Sequence, residues 1–231
     1  MIKAVLFDLF GTVIAYGDIE AGTREAWDGI LDALRVLGAD PPYEAFAVDW
    51  QAQFITPLRP EEDTEETPFL GKVLRLFRSY GLPEDRDMAL QGVNACISAW
   101  DRHLALPDDV VPTLRALRER HAVALVSNFD HPPYVRHLLA RLDLAQHFDP
   151  ILISGELRID KPDPRIFARA LDAVGCAPEE ALFVGDSLDT DIGGARAVGC
   201  RAVLIDMQGR HPDYGGERIA ALGELIGLVE C

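Results

Sequence analysis

Five short runs of apolar residues punctuate the chain: Ala4 to Phe7, Ala122 to Val126, Ile151 to Ile153, Ala181 to Val184 and Ala202 to Ile205. Each is rich in Val, Ile, Leu, Phe or Ala and lacks the polar alternation of a half-exposed strand. The pattern predicts strands buried on both faces. Helical periods alternate with them: Val110 to Glu119 precedes the second run, and Tyr134 to Leu142, Arg165 to Val174, Ile192 to Val198 and Arg218 to Val229 follow in turn. Strands alternating with helices predict an α/β fold, a doubly wound parallel sheet whose ligand crevice lies at the carboxyl ends of the strands. The stretch from Tyr16 to Trp100 breaks this rhythm. It carries helical periods at Arg24 to Leu37 and Lys72 to Tyr80 and no strand pattern. We therefore expect a core of residues 1–15 and 101–231, with 16–100 as an inserted all-helical cap domain. The acidic, Pro-flanked segment Pro57 to Pro68 reads as an exposed loop.

Composition narrows the range of partners. With 231 residues and 48% hydrophobic content, the chain can bury a core without disulfides or a structural metal. Its formal net charge of −16, with no run of Lys or Arg, argues against nucleic-acid or anionic-membrane surfaces. A small anionic substrate would have to be held by a local site. Cys96, Cys176, Cys200 and Cys231 form no CxxC pair and read as incidental thiols. Met1 leads straight into the first strand and no apolar run reaches membrane-spanning length, so a cytoplasmic protein is expected. Nothing in the pattern bears on oligomeric state.

The polar residues of interest all follow predicted strands. Asp8 ends the first, in Val5-Leu6-Phe7-Asp8-Leu9-Phe10-Gly11-Thr12-Val13. Alone it reads equally as a turn or cap residue. Ser127-Asn128 follows the second strand and is ordinary turn chemistry by itself. Asp130, ahead of Pro132-Pro133, reads as a helix cap. Lys161 follows the third strand, in Asp160-Lys161-Pro162-Asp163-Pro164, and is one of only three lysines beside Lys3 and Lys72. A chain that otherwise uses Arg suggests a need for a compact ammonium at this position. Gly185-Asp186-Ser187-Leu188-Asp189-Thr190-Asp191 follows the fourth strand, and its clustered carboxylates suit a hard cation, with one available to cap the next helix.

In order and spacing, these segments resemble the four motifs of the haloacid dehalogenase (HAD) superfamily. The match covers roughly residues 1–14 and 105–210; the insert resembles a helical cap only in place and length. The resemblance implies that Asp8 is a covalent nucleophile. It also implies that Ser127, Thr12 and Asn128 hold substrate oxygens, and that Lys161 offsets the negative charge. Mg²⁺ would be bound by the Asp8 carboxylate, the Phe10 carbonyl, Asp186 and Asp191.

One position departs from the family. Its phosphatases usually read D-x-D-G-T, the second Asp serving as general acid and base; this chain has Phe10 there. Members that cleave carbon–halogen bonds carry an aromatic residue at that place, but their last motif usually lacks the Gly-Asp pair retained here as Gly185-Asp186. Three readings follow. The first is a Mg²⁺-dependent phosphatase of a small phosphorylated metabolite. The second is a metal-independent 2-haloacid dehalogenase, for which Arg24 or Arg35 would have to hold the substrate carboxylate. The third is a catalytically weak phosphometabolite-binding or interaction protein. Phosphonate cleavage through a Schiff base on Lys72 is more remote. Trp27, Trp50 and Trp100 read as helix-packing aromatics.

Overall fold

The computed structural model describes residues 1–229. Among them, six strands form the central sheet: β1 (Ala4–Phe7), β4 (Ala122–Ser127), β5 (Ile151–Ile153), β6 (Ala181–Gly185), β7 (Arg201–Ile205) and β8 (Arg218–Ile219). Two short strands, β2 (Ala15–Tyr16) and β3 (Leu104–Ala105), lie on either side of the insert in the sequence. The order across the large sheet is β5-β4-β1-β6-β7-β8, and each neighbouring pair is parallel. β1 sits centrally, with β4 on one side and β6 on the other. The chain thus winds away from β1 in both directions, which opens a crevice at the strands' carboxyl ends beside β1.

The apolar runs are buried because helices cover the sheet. Every residue of β1 and β6 from Ala4 to Phe7 and from Ala181 to Val184 has no exposed surface. Leu6, Ala124, Val126 and Phe183 share one core with Ile166, Phe167 and Ala170 of α8 (Pro164–Val174). Asp163 starts that helix by accepting from the Arg165 N–H at 2.9 Å, and Gly175 ends it at a φ of 69°. Ahead of it in the core lie α5 (Val110–Arg118), α6 (Pro132–Arg141) and the one-turn α7 (Ser154–Leu157).

The chain divides into two compact units, one of Met1–Tyr16 with the residues from Ala105 onward, the other of Gly17–Leu104. The second unit is helical: α1 (Ile19–Leu37), α2 (Tyr43–Ile55), α3 (Pro68–Ser79) and α4 (Arg86–Asp101). Side-chain oxygens of Asp18, Thr67 and Asp85 cap α1, α3 and α4. The unit has its own core, in which Ile30, Leu34, Phe46, Trp50, Phe77 and Val93 are fully buried. Trp27 and Trp100 pack against it, partly buried. The three tryptophans are thus helix-packing residues.

The structure departs from the sequence pattern in four places. Arg218 to Val229 is not one helix: it begins as β8, passes through a 3-10 turn at Leu222–Glu224 and becomes α-helical at α10 (Leu225–Val229). The edge of β7 supplies unpaired backbone groups, and the segment satisfies them, Leu204 N–H donating to Glu217 at 2.9 Å and Asp206 N–H to Ile219 at 2.8 Å. Periodicity carries no information about such a partner. Ile192 to Val198 opens as a wide π-type turn over Leu188–Gly193 before the short α9 (Gly194–Ala197). The Pro57–Pro68 loop is not uniformly exposed, because Glu62 is buried against Arg59 at 2.7 Å and Arg78 at 3.2 Å. Finally, the N-cap of α6 is His131, without a side-chain cap bond, and not Asp130. Cys96, Cys176 and Cys200 are free thiols. Cys231 lies outside the described residues.

The sheet–helix core yields a direct test. Phe167 is fully buried and its ring centroid lies 5.3 Å from that of Phe183. Truncating it opens a cavity the rigid sheet cannot collapse into. Phe167→Ala should lower the unfolding free energy by about 3–5 kcal/mol, read from urea denaturation. A loss under about 1 kcal/mol would mean that this interface repacks.

Candidate active site

The parallel register brings the polar strand ends together. Phe7 lies beside Val184 in β6 and beside Leu125 in β4. The next residue, Asp8, continues the ladder, its N–H donating to Val184 at 2.9 Å. That places Asp8 next to the Gly185-Asp186 turn on one flank and near Ser127 at the end of β4 on the other. After Asp8 the chain folds back on one carbonyl: Val13 and Ile14 donate to Leu9 at 2.9 and 2.8 Å. Gly11, at a φ of 88°, allows this turn, and any Cβ there would lie 2.3 Å from the Asp186 carboxylate. Gly185 is under the same constraint, since a Cβ would lie 2.4 Å from Asp191.

Four sequence-predicted residues converge in direct contact or close to it. The Lys161 Nζ donates to Asp8 Oδ1 at 2.6 Å and to Asp191 Oδ1 at 2.7 Å, and its side chain is 1% exposed. Carboxylate oxygens of Asp8, Asp186 and Asp191 lie within 4.8 Å of one another. Ser187 N–H donates to the other oxygen of Asp191 at 3.1 Å. Asp189, by contrast, is exposed outside this cluster, and the cap of the following turn is Ser187. Asn128 does not offer its amide to the crevice. It accepts from Lys161 N–H at 2.8 Å and donates to the Lys161 carbonyl at 2.9 Å, which clamps the loop carrying the lysine. The hydroxyls of Ser127 and Thr12 are buried without any hydrogen-bond partner. Two unpartnered hydroxyls, one at the end of β4 and one in the turn after β1, are suited to the oxygens of a bound anion. The Phe10 ring lies 4.9 Å from Phe129 and is stacked 6.4 Å from Tyr134, so the place of the expected acid is a closed aromatic cluster.

The electrostatics follow from crowding. Burial is the largest influence on Asp8 and pushes its carboxyl up to about 7; Lys161 opposes this, while Asp191 and Asp186 add to it. Burial raises Asp186 as well, with Asp191 adding and Arg210 opposing. Burial pulls Lys161 down, but Asp8 and Asp191 outweigh it and its pKa is raised. Such a set of hard, buried oxygen donors fits a divalent cation such as Mg²⁺.

Two residues of the crevice escaped the sequence reading. Arg210 Nη2 lies 3.1 Å from Asp186 Oδ2. It follows β7 as the other site residues follow their strands, so the same positional rule, applied to the fifth apolar run, finds it. Tyr16 is half-buried, and burial, with Asp8 and Asp186 adding, raises its hydroxyl pKa, which keeps it a proton donor. No local signal marks Tyr16; the fold-back after Asp8 brings it there. Within the helical unit, Arg35 pairs with Asp32 and Asp40, the Arg24 guanidinium lies 4.4 Å from the Tyr43 ring centroid, and Lys72 is buried over Phe54.

A family model for haloacid dehalogenase-like hydrolases matches residues 2–199. The chain belongs to this family of hydrolases. It is 40% identical over 160 residues to a phosphoserine phosphatase of Thermus thermophilus, a match covering 68% of this chain and 63% of that protein. It is 39% identical to a glyceraldehyde 3-phosphate phosphatase of Methanopyrus kandleri, over 92% of this chain and 90% of the relative. Among solved structures, a 2-haloacid dehalogenase of Pseudomonas syringae shares the fold with a TM-score of 0.72 at 24% identity, covering 100% of this chain and 99% of the other. Among the described residues, no helix is long and apolar enough to cross a membrane.

The raised Asp8 carboxyl has a consequence for stability. Its ordinary value is 3.8 and its folded value about 7, so between these the metal-free native state holds a proton that the unfolded chain has released. Stability should fall as pH rises through that window and then level off. Asp8→Asn removes this dependence. In EDTA the variant should match wild type near pH 4 and exceed it in unfolding free energy at pH 7.5, measured by urea denaturation across pH. A variant less stable than wild type at pH 7.5 would show that the pairing with Lys161 outweighs the carboxylate crowding.

Proposed function

We propose that this chain is a Mg²⁺-dependent phosphatase of a small phosphorylated metabolite, acting through an aspartyl-phosphate on Asp8. The observation that carries this reading is the gathering of Asp8, Asp186 and Asp191 around the buried Lys161, with buried, partnerless hydroxyls on Ser127 at the end of the neighbouring β4 and on Thr12 in the turn after Asp8. The names of the two phosphatase relatives support it. In this reading the Asp8 and Asp186 carboxylates and the Phe10 carbonyl hold the ion, with Asp191 beside them. A bound Mg²⁺ supplies charge stabilisation for the phosphoryl oxygens.

The protein's own residues do the rest. One oxygen of Asp8 attacks phosphorus as the ester P–O bond breaks, and the leaving oxygen departs with the bonding pair as an alkoxide or aryloxide that takes its proton from water. Lys161 stays protonated between Asp8 and Asp191 and offsets charge building on the phosphoryl group. Ser127 and Thr12 donate to its oxygens, and Asn128 keeps the Lys161 loop in register. Water then attacks phosphorus, the bond from Asp8 to phosphorus breaks, and inorganic phosphate leaves as the water's proton passes to solvent, which restores the Asp8 carboxylate. Phosphorylated metabolites are retained in the cytoplasm, the compartment this reading assigns.

A 2-haloacid dehalogenase reading draws on Phe10. Its packing against Phe129 and Tyr134 gives the crevice an apolar wall. Against it stand the intact carboxylate cluster and the ties that hold Arg24 and Arg35 within the helical unit. A panel of phosphate esters and 2-haloacids separates the two. Phosphate release should vanish with EDTA and return with Mg²⁺. Chloride release indifferent to EDTA would overturn the proposal.

Phe10 also sets the kinetics. A phenyl ring can neither protonate a departing alkoxide nor deprotonate the attacking water, functions worth roughly 10²–10⁴-fold. Aryl phosphates need little protonation, so their first step should survive while alkyl esters turn over slowly. The second step then limits, and rapid mixing should show a burst of aryl alcohol with phosphorylated Asp8 visible by mass spectrometry. Phe10→Asp should shrink the burst and speed alkyl esters, at a cost in stability because a carboxylate replaces a ring packed on two others. Equal aryl and alkyl rates without a burst would mean that another group, such as Tyr16, performs the proton transfers.

A further inference from the structure

Arg210 stands on a loop built to hold it. Asp206 ends β7 with its side chain 2% exposed, and its two oxygens accept from the Arg210 N–H at 2.7 Å and the His211 N–H at 2.9 Å. Arg218 braces the same turn, donating to the His211 carbonyl at 2.6 Å and lying 3.5 Å from Asp206. A buried carboxylate is thus committed to fixing the backbone of Arg210 and His211. The Arg210 side chain so presented is half in solvent, 47% exposed, and makes one hydrogen bond, to Asp186 Oδ2 at 3.1 Å. An isolated surface pair of this kind would contribute little to stability. Its position, against a member of the carboxylate cluster, gives it a different significance.

The charge balance shows what this position does. Asp8, Asp186 and Asp191 carry three negative charges, and Lys161 and Arg210 return two positive ones. With a divalent cation added, the crevice is net positive by one charge with Arg210 and neutral without it. Lys161 is buried and already engaged by two carboxylates, whereas Arg210 keeps donors unused in a planar fork that matches phosphate oxygens. In a chain of net charge −16, a phosphate dianion gains from such a local cation.

We propose that Arg210 is a substrate-binding residue that takes an oxygen of the phosphoryl group, its guanidinium resting on Asp186 until that carboxylate is engaged by the cation. The proposal rests on the phosphatase reading above. Calorimetry on the full chain tests it with two probes, Mg²⁺ alone and inorganic phosphate at saturating Mg²⁺. Arg210→Ala should bind phosphate about tenfold more weakly or worse, the loss expected for a charge-assisted hydrogen bond. It should bind Mg²⁺ at least as tightly as wild type, because a competing cation has left Asp186. Arg210→Lys should fall between the two for phosphate. Asp206→Asn, which loosens the loop but keeps the guanidinium, should weaken phosphate and leave Mg²⁺ binding unchanged. Unchanged phosphate affinity in Arg210→Ala would overturn the proposal alone. So would a loss of Mg²⁺ affinity matching the loss for phosphate, since Arg210 would then only hold Asp186. A wild-type chain that binds Mg²⁺ but no phosphate would overturn the phosphatase reading as well.

Discussion

Carboxylates packed within 4.8 Å of one another repel, and in this molecule a single buried ammonium ties two of the three together. Lys161 bridges Asp8 and Asp191 with its side chain almost wholly out of solvent. A lone ammonium at that depth would lose its proton, and carboxylates at that density would take one up. Each tolerates burial because of the other, and even so Asp8 titrates far above an ordinary aspartate. The surrounding architecture keeps this arrangement from relaxing. The Asn128 amide clamps the lysine loop from both its N–H and its carbonyl, and Ser187 fixes the outer oxygen of Asp191.

A parallel sheet is well suited to hold such a cluster. Its strands are rigid and apolar, and all end on one side, so residues distant in sequence meet without long loops. β1 lies between β4 and β6, and the three supply Asp8, Ser127 and the Gly185-Asp186 turn. The two glycines at this junction leave no room for a Cβ, because the carboxylates occupy that space. Tight backbone packing and dense negative charge are therefore one design problem: closer strands sharpen the site and raise the repulsion that Lys161 must offset.

Phe10 divides the crevice into two chemical halves. On one side lie charged groups suited to a cation and an anion. On the other, Phe10, Phe129 and Tyr134 form a closed aromatic wall where the family's phosphatases usually carry an acid. The wall removes a fourth carboxylate from an already crowded place, and stacking replaces desolvated charge. Charge balance then favours stability where acid–base chemistry would favour another Asp.

The buried apolar runs were enough to determine the strands β1, β4, β5, β6 and β7 and the strand-end position of Asp8, Ser127 and Asp186, and helical periods marked the insert; Lys161 and Asp191 lie further along, beyond a helical turn after β5 and within the turn Leu188–Gly193. Apolar burial is encoded residue by residue, and a parallel sheet converts strand ends into one crevice. The sequence did not disclose β8, because a two-residue strand exists only where β7 leaves backbone groups to pair. Nor did it disclose that Asn128 is spent on the lysine loop, that Phe10 is walled in by Phe129 and Tyr134, or that Arg210 reaches Asp186. These are contacts between segments far apart in the chain, set by the register of β1 against its neighbours and by a loop that Asp206 pins. Local sequence specifies what each residue offers; only the tertiary structure decides which partner accepts it.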